Sequence, residues 1–505
     1  MALAMIIQGR HNPPRVAQVA VGPLPLPASW WYVPLSAQVD TAGWLQRPYS
    51  LPEAARVAAL IARAAAPLVP LMKEAFDGWW YDPGSSNSSC GSRCLVYSLG
   101  APFGAGPAAA AGTRVGPGSG VEGRRWLWAF FYRNLEGHHL HTVGLELQLD
   151  VSGAHPAQWA AGQVWLGGSL WPSPQALAAA WNSSRASTSS SSTSTSSSSS
   201  SSSSGAQGVD PAALALLRAF HLPSPSPQDA LSSSFGPRKP AASTPAAANE
   251  APSQPGPPLQ YEPDGRRFRL SASGLGVEHW MGWSLAMGHS PTAGLSFWDV
   301  RFQGQRLLWE LSLQEAYAGY GGPSPMQSHV QYLDSHWGMG AAYKELAAGL
   351  DCPGNAAFLD LPYSFNSGPL LQRNAVCVFE LSLGQPLLRH WADAGGSPAY
   401  YGAVQGSALV VRTISTVYNY DYIADLRLHL DGSIEVAVHT TGYVQSSWYD
   451  RAQHGSSHGY PFAPHNSGTI HDHLLHWKVD ADIAGTPNSI RMDSVVLQER
   501  PGDEG

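Results

Sequence analysis

The stretch IADLRLHLDGSIEVAVHTTGYV, residues 423–444, decides how the chain is read. Apolar and polar residues alternate on both sides of Asp431-Gly432, the pattern of two strands that each bury one face. Asp-Gly between such runs is the strongest short-range signal for a β-hairpin. Outward from it, FWDVRF (297–302), RLLWELSL (306–313), AVCVFELSL (375–383) and ALVVRTIS (408–415) carry the same strand-like text. So many runs predict a large antiparallel β-sandwich over residues 259–505.

Towards the N-terminus the text changes. Leu51 to Met72 is rich in Ala, Leu and Val with Pro52 near its start, as in a helix with proline in its first turn. WLWAFFY (126–132) and HTVGLELQLDV (141–151) read as strands, and Ser173-Pro174 opens a helix through Ala180. Strands followed by a helix predict a small α+β domain over 125–182, preceded by an N-terminal region 1–124 of the same kind. Residues 183–258 hold an unbroken Ser/Thr tract and a Pro/Ala/Ser-rich run, which bury too little apolar surface to offset their ordering entropy and are expected to be flexible. The predicted fold class is α+β, with small N-terminal α+β domains before a large antiparallel β-sandwich.

Composition narrows the function. The 505 residues carry 29 Lys and Arg against 36 Asp and Glu, a net charge of -7 without the basic block that nucleic acid or anionic membrane demands. No uninterrupted apolar run reaches the length of a membrane span, and MALAMIIQGRHNPPR lacks the form of a signal peptide, so no compartment is assigned. The four cysteines fall into two pairs along the chain, Cys90 with Cys94 and Cys352 with Cys377.

The chemistry-bearing residues cluster late. His471 and His473 lie two apart in GTIHDHLLHWKVDADIAG (468–485), which reads as a strand. Both imidazoles then point to one face and can share an ion, and imidazole suits copper or zinc. His139 and His141 have the same spacing and are read as ordinary residues of a partly exposed strand.

The segment TVYNYDY (416–422) resembles the T-x-x-N-Y-D/E motif of the copper amine oxidases, especially their animal and fungal branches. RLLWELSLQEAYAGYGG (306–322), QYLDSHWGMG (331–340), the His471 region and residues 125–168 resemble successive segments of that family in the same order. The resemblance implies that Tyr420 is the precursor of topaquinone, that Asn419 restrains its ring and that Tyr320 hydrogen-bonds it. It implies Asp334 as catalytic base, Tyr332 as the aromatic gate, and His471 and His473 as copper ligands. Asp480 and Asp482 fall where the family's peripheral calcium-type site begins, and hard carboxylate oxygens suit such an ion. Cys352 and Cys377 align with the family's disulfide, whose loop closure would stabilise by roughly 3 kcal/mol. The implied reaction is oxidative deamination of a primary amine by dioxygen to aldehyde, ammonia and hydrogen peroxide, in a homodimer.

Two departures accompany the resemblance. The family's third copper histidine has no matching position, so the chain is expected to be C-terminally incomplete, and an inactive protein of the same fold is the alternative. His476 should face away from His471 and His473, while His439, His454, His458 and His465 need the fold to bring them near. Tyr418 stands where the family commonly has a small residue, which bears on the pocket or on cofactor formation.

Overall fold

The computed structural model describes residues 2–8, 15–22, 31–34, 51–83, 89–100, 124–135, 137–152, 155–190, 259–322, 324–328, 331–365, 368–392, 400–450, 458–463, 465–487, 489, 492 and 494. They fall into two units, the first drawn from 1–235, 317–336 and 442–474, the second from 236–316, 337–441 and 475–505.

In the first unit, β1 (Ala2–Gln8), β2 (Arg15–Gly22) and β3 (Trp31–Pro34) form an antiparallel meander. Helix α1 (Leu51–Ala65) leads through a 3-10 turn at Ala66–Leu68 into α2 (Val69–Ala75). Pro67 and Pro70 lack the N–H that a continuous helix would use, which accounts for the tightened turn. Val57, Leu60, Ile61, Ala64, Leu68, Leu71 and Met72 recur at helical spacing and are buried in one core. Glu53–Ala75 is nevertheless long and apolar enough, by length and composition, to span a membrane. Charged residues at Glu53, Arg56, Arg63, Lys73 and Glu74 interrupt that stretch, and its apolar face is committed to the core.

The helices pack on a five-stranded antiparallel sheet, β4 (Leu95–Leu99), β5 (Trp126–Arg133), β6 (Thr142–Asp150), β7 (Ala160–Leu166) and β8 (Ser169–Trp171), in chain order. Helix α3 (Pro174–Ser190) starts where expected, with the Ser173 hydroxyl accepting the Ala176 N–H at 3.1 Å. It runs past Ala180 into the Ser-rich tract, where Ser183 and Ser184 donate to the carbonyls of Ala179 and Ala180. The rest of the tract and the Pro-rich run lie outside the described residues. A further small sheet has the order β20 (Ser446–Trp448), β22 (Asn466–Thr469), β21 (Gly459–Ala463).

The His139 to His141 pair is not a partly exposed strand. His138–Leu140 is a 3-10 turn, His139 and His141 are buried, and Ser446 and Asn466 donate to the carbonyls of His139 and Leu140 at 2.8 and 2.7 Å. A side chain spacing of two does not distinguish a strand from a short turn closed by neighbouring polar groups.

The second unit is built on two antiparallel β-sheets, while residues 317–336 and 442–474 of the stretch 259–505 fall in the first unit. One sheet runs β9 (Arg269–Leu270), β10 (Gly276–Trp280), β11 (Trp283–Ser290), β12 (Gly294–Phe302), β13 (Gln305–Tyr320), with β23 (His471–Ala481) also on β13. The last residues of β13 belong to the first unit, where they pair with β14 (Gln331–Leu333). The other sheet runs β15 (Ala357–Phe365), β16 (Gly368–Ala392), β17 (Tyr400–Val417), β18 (Tyr420–His429), β19 (Ile434–Gly442). Val277, Trp280, Trp283 and Phe297 of the first sheet and Val376, Val378, Leu409 and Leu426 of the second are buried in one cluster. The indole N–H groups of Trp280 and Trp283 donate to Glu380 and to the His429 carbonyl, so neither is buried without a partner. The Asp431-Gly432 turn closes as a longer loop than a two-residue hairpin: the His429 N–H donates to the Ser433 carbonyl, Gly432 takes φ +91°, and Asp431 accepts from Ser433.

Candidate active site

The site residues expected from the sequence divide between the two units, and each group has its own local logic. In the first unit, the end of β13 delivers Tyr320 and the start of β23 delivers His471 and His473. The Gly321 N–H donates to the Ile470 carbonyl at 2.9 Å, tying these two chain segments together. Alternation along β23 sends His471 and His473 to the same side while His476 is exposed on the other, as expected from the strand period. Their ring centroids lie 5.1 Å apart, and His471 stacks on Tyr320 at 4.7 Å with 16° between planes. The Thr469 carbonyl lies 3.1 Å from His471 Nδ1. Burial pushes His473 down to about 4, with His471 adding to the shift and Asp472 opposing it, so its imidazole is neutral at pH 7, the form that binds a metal.

Tyr332 is placed by pairing of β14 with β13, which sets Ala318 opposite Tyr332 and Tyr317 opposite Leu333. The Tyr332 ring packs edge-on to Tyr320 at 5.4 Å and against the unit's main core. Asp334 follows at once as the first residue of a short helix, Asp334–Trp337, and is 5% exposed. Tyr317, Tyr320, Gln327, Ser328, His458, His471 and His473 line an open pocket of about 670 Å³. Of the histidines that needed the fold to bring them near, His458 lines this pocket; Gln327 and Ser328 were not singled out from the sequence, and no spacing or residue type could have done so.

In the second unit, Thr416-Val417 and Tyr420-Asp421 face each other across the β17–β18 hairpin, joined by Tyr418-Asn419 alone. The Thr416 hydroxyl donates to Asp421 at 2.6 Å, so the first and last polar residues of the motif lock the two strand ends. Asn419 is buried, and Tyr420 packs partly buried against the cluster of Leu313, Ala316, Met339, Val417 and Tyr422. Tyr418 is exposed and takes φ +57°, a left-handed conformation unfavourable for an aromatic residue. The departure at Tyr418 is thus a strained turn position with an exposed side chain. Replacing Tyr418 by Asn, which tolerates this conformation, should raise stability by about 1 kcal/mol. Urea midpoints decide it; a lower midpoint would mean that the ring's contacts outweigh the strain.

Cys352 and Cys377 form a disulfide, as do Cys90 and Cys94. Asp482 is buried and accepts from Arg306 Nε at 2.6 Å, while Asp480 is half-buried. A second cation there would compete with that guanidinium. Among the described residues no three His, Cys, Asp or Glu side chains are grouped to hold a metal ion. His439 is exposed on β19, His465 is half-buried, His458 lines the pocket, and His454 lies outside the described residues. The two pocket imidazoles therefore fit a copper ion as partners, and the described residues supply no third.

Residues 276–504 match the family described as copper amine oxidase, enzyme domain. The chain belongs to the copper amine oxidases, a family that uses copper and topaquinone. Within it, the chain is homologous to the mammalian diamine oxidases: it is 32% identical over 499 residues to pig diamine oxidase and 33% identical over 500 residues to the human enzyme, each covering 98% of this chain. It spans only 58% and 59% of the lengths of those relatives. Among solved structures, Pichia pastoris lysyl oxidase aligns over 94% of the chain and 56% of its own length with a TM-score of 0.67 at 23% identity. The amine oxidase of Aspergillus nidulans aligns over 94% and 55% with a TM-score of 0.64 at 25% identity. The mostly antiparallel β fold is that of the family.

Proposed function

We propose that this polypeptide carries the reaction centre of a copper- and topaquinone-dependent primary-amine oxidase, converting R–CH2–NH2, dioxygen and water to R–CHO, ammonia and hydrogen peroxide. The observation that supports this most is the pocket on which Tyr320, His471 and His473 converge, with Tyr332 packed on Tyr320. The hairpin that presents Tyr420 between a locked Thr416 and Asp421 adds to it. When present, copper and the quinone supply the electron sink for the amine and the route of those electrons to dioxygen.

The chain's own residues take the remaining tasks. His471 and His473 hold the metal. Tyr420 is the residue modified, Asn419 restrains it and Tyr320 hydrogen-bonds it. Asp334 takes the proton from the carbon next to the amine nitrogen, and Tyr332 gates entry to the pocket. Homodimerisation belongs to the same reading. Its support is the far half of the β16–β17 hairpin, where Leu387, Leu388, Trp391, Tyr401 and Val404 are exposed in one arm.

The alternative, an inactive protein of the same fold, draws on the absence of a third metal-binding side chain among the described residues. One experiment separates them. Copper-free protein is loaded with Cu(II) in air, followed by visible absorbance, then treated with phenylhydrazine. A coloured adduct in the peptide containing Tyr420 is the expected result. Folded protein that forms no adduct would leave the inactive reading standing.

A further inference from the structure

Between Tyr320 and Tyr332 the chain makes one turn of helix, Pro325–Ser328, in which Ser324, Pro325, Met326 and Gln327 are buried. Residues distant in sequence hold this turn. Glu146, in the middle of β6 and only 3% exposed, accepts the Met326 N–H at 2.7 Å and hydrogen-bonds the side chain of Ser324. The Ser324 hydroxyl in turn lies 2.9 Å from Gln327 Oε1, and Gln327 lines the pocket with Tyr320, His471 and His473. The Tyr132 hydroxyl lies 3.2 Å from Met326 Sδ and accepts from Gln445 at 2.7 Å.

A carboxyl group in this setting is expensive. Its cross-strand neighbours are Phe130 and Trp165, and no cation is paired with it among the described residues. Desolvation pushes it up to about 8, so at pH 7 it is mainly the neutral acid, able to accept from Met326 and donate towards Ser324. An apolar side chain would fill the same space without that penalty. What it could not do is hold two points of the 324–328 turn at once.

We infer that Glu146 is a positioning residue: its carboxyl group pins the Ser324–Gln327 turn and thereby sets the pocket wall at Gln327 and the run of chain into Tyr332 and Asp334. The inference rests on the function proposed above for the roles of Tyr332 and Asp334, but the pinning itself is a property of the apo protein.

Hydrogen exchange on the full chain without copper tests it, comparing Glu146→Gln, which keeps an acceptor and a donor, with Glu146→Leu, which keeps only the volume. In Glu146→Leu the amides of Met326 to Ser328 and Tyr332 to Asp334 should exchange at least tenfold faster, while those of β16 and β17 stay unchanged. Glu146→Gln should stay within about threefold of the parent. In copper-loaded protein, Glu146→Leu should lower kcat/KM by at least tenfold and Glu146→Gln should restore it. Unaltered exchange at 326–334 in folded Glu146→Leu overturns the inference, whatever the activity. Altered exchange with no amine oxidation even in the parent counts against the proposed function and leaves the pinning intact. Should Glu146→Leu not fold, Ser324→Ala replaces it, and exchange at 326–328 that rises less than threefold overturns the inference.

Discussion

Asp334→Asn is expected to leave the Tyr420 phenylhydrazine adduct intact while amine turnover falls by about a hundred- to ten-thousand-fold, the range for loss of a positioned general base. Asp334 is 5% exposed and directly follows the strand that carries Tyr332. A carboxamide has almost the same outline as a carboxylate, so the surrounding packing should hold, yet it cannot take a proton from carbon. The measurement pairs adduct absorbance, which reports the modified tyrosine, with steady-state peroxide formation, which reports turnover. A variant that kept both would remove Asp334 from the base role. One that lost both would point to a structural part for the side chain, and a fall in kcat/KM without a fall in kcat would mean that Asp334 serves binding alone.

The sandwich was legible because strands buried on one face announce themselves by alternation, and β10 to β13 and β15 to β19 mostly bury one face against the other sheet. The geometry of the Thr416–Asp421 hairpin and of the His471/His473 pair was legible for a related reason: it is local, set within seven residues or fewer. What could not be read is whatever depends on a second layer of packing. In HTVGLELQLDV the apolar residues Val143, Leu145, Leu147 and Leu149 alternate with others, which records a strand with one apolar face and nothing about what covers the other. In the fold both faces of β6 are covered. Gly144 sits at φ +68° where a Cβ would come within 2.7 Å of Trp448, and the 324–328 turn closes over Glu146. Residues from 146, 324–327 and 445 meet there, and no local pattern records such a meeting. His139 and His141 failed for the same reason, since their burial comes from Ser446 and Asn466.

Glu146→Gln should also reshape the pH dependence of stability, and the sign follows from linkage. Glu146 has a folded value of about 8 against an ordinary 4.5, raised mainly by desolvation. The folded chain therefore holds this proton more tightly than the unfolded chain does. Its stabilising contribution is fully present below pH 4.5 and is lost progressively as the pH rises to about 8, above which the carboxylate is ionised in both states. At roughly 1.4 kcal/mol for each pH unit of that window, the loss across it is on the order of 5 kcal/mol. Gln has the same shape and no charge to acquire, so the variant should lack this slope. Urea midpoints followed by tryptophan fluorescence should be similar for parent and variant at pH 5, diverge up to about pH 8 and then stay apart to pH 9, with the variant more stable. Water reaching the ionised carboxylate would reduce the divergence without changing its direction. Parallel curves would mean that Glu146 is ionised at little cost in the folded protein, and the turn at 324–328 would then be held by an anion rather than by a neutral acid. A variant less stable than the parent at pH 9 would show that the carboxylate's hydrogen bond to Met326 outweighs its desolvation. The opposite ordering, with the gap closing towards pH 5, is what a neutral pinning group requires.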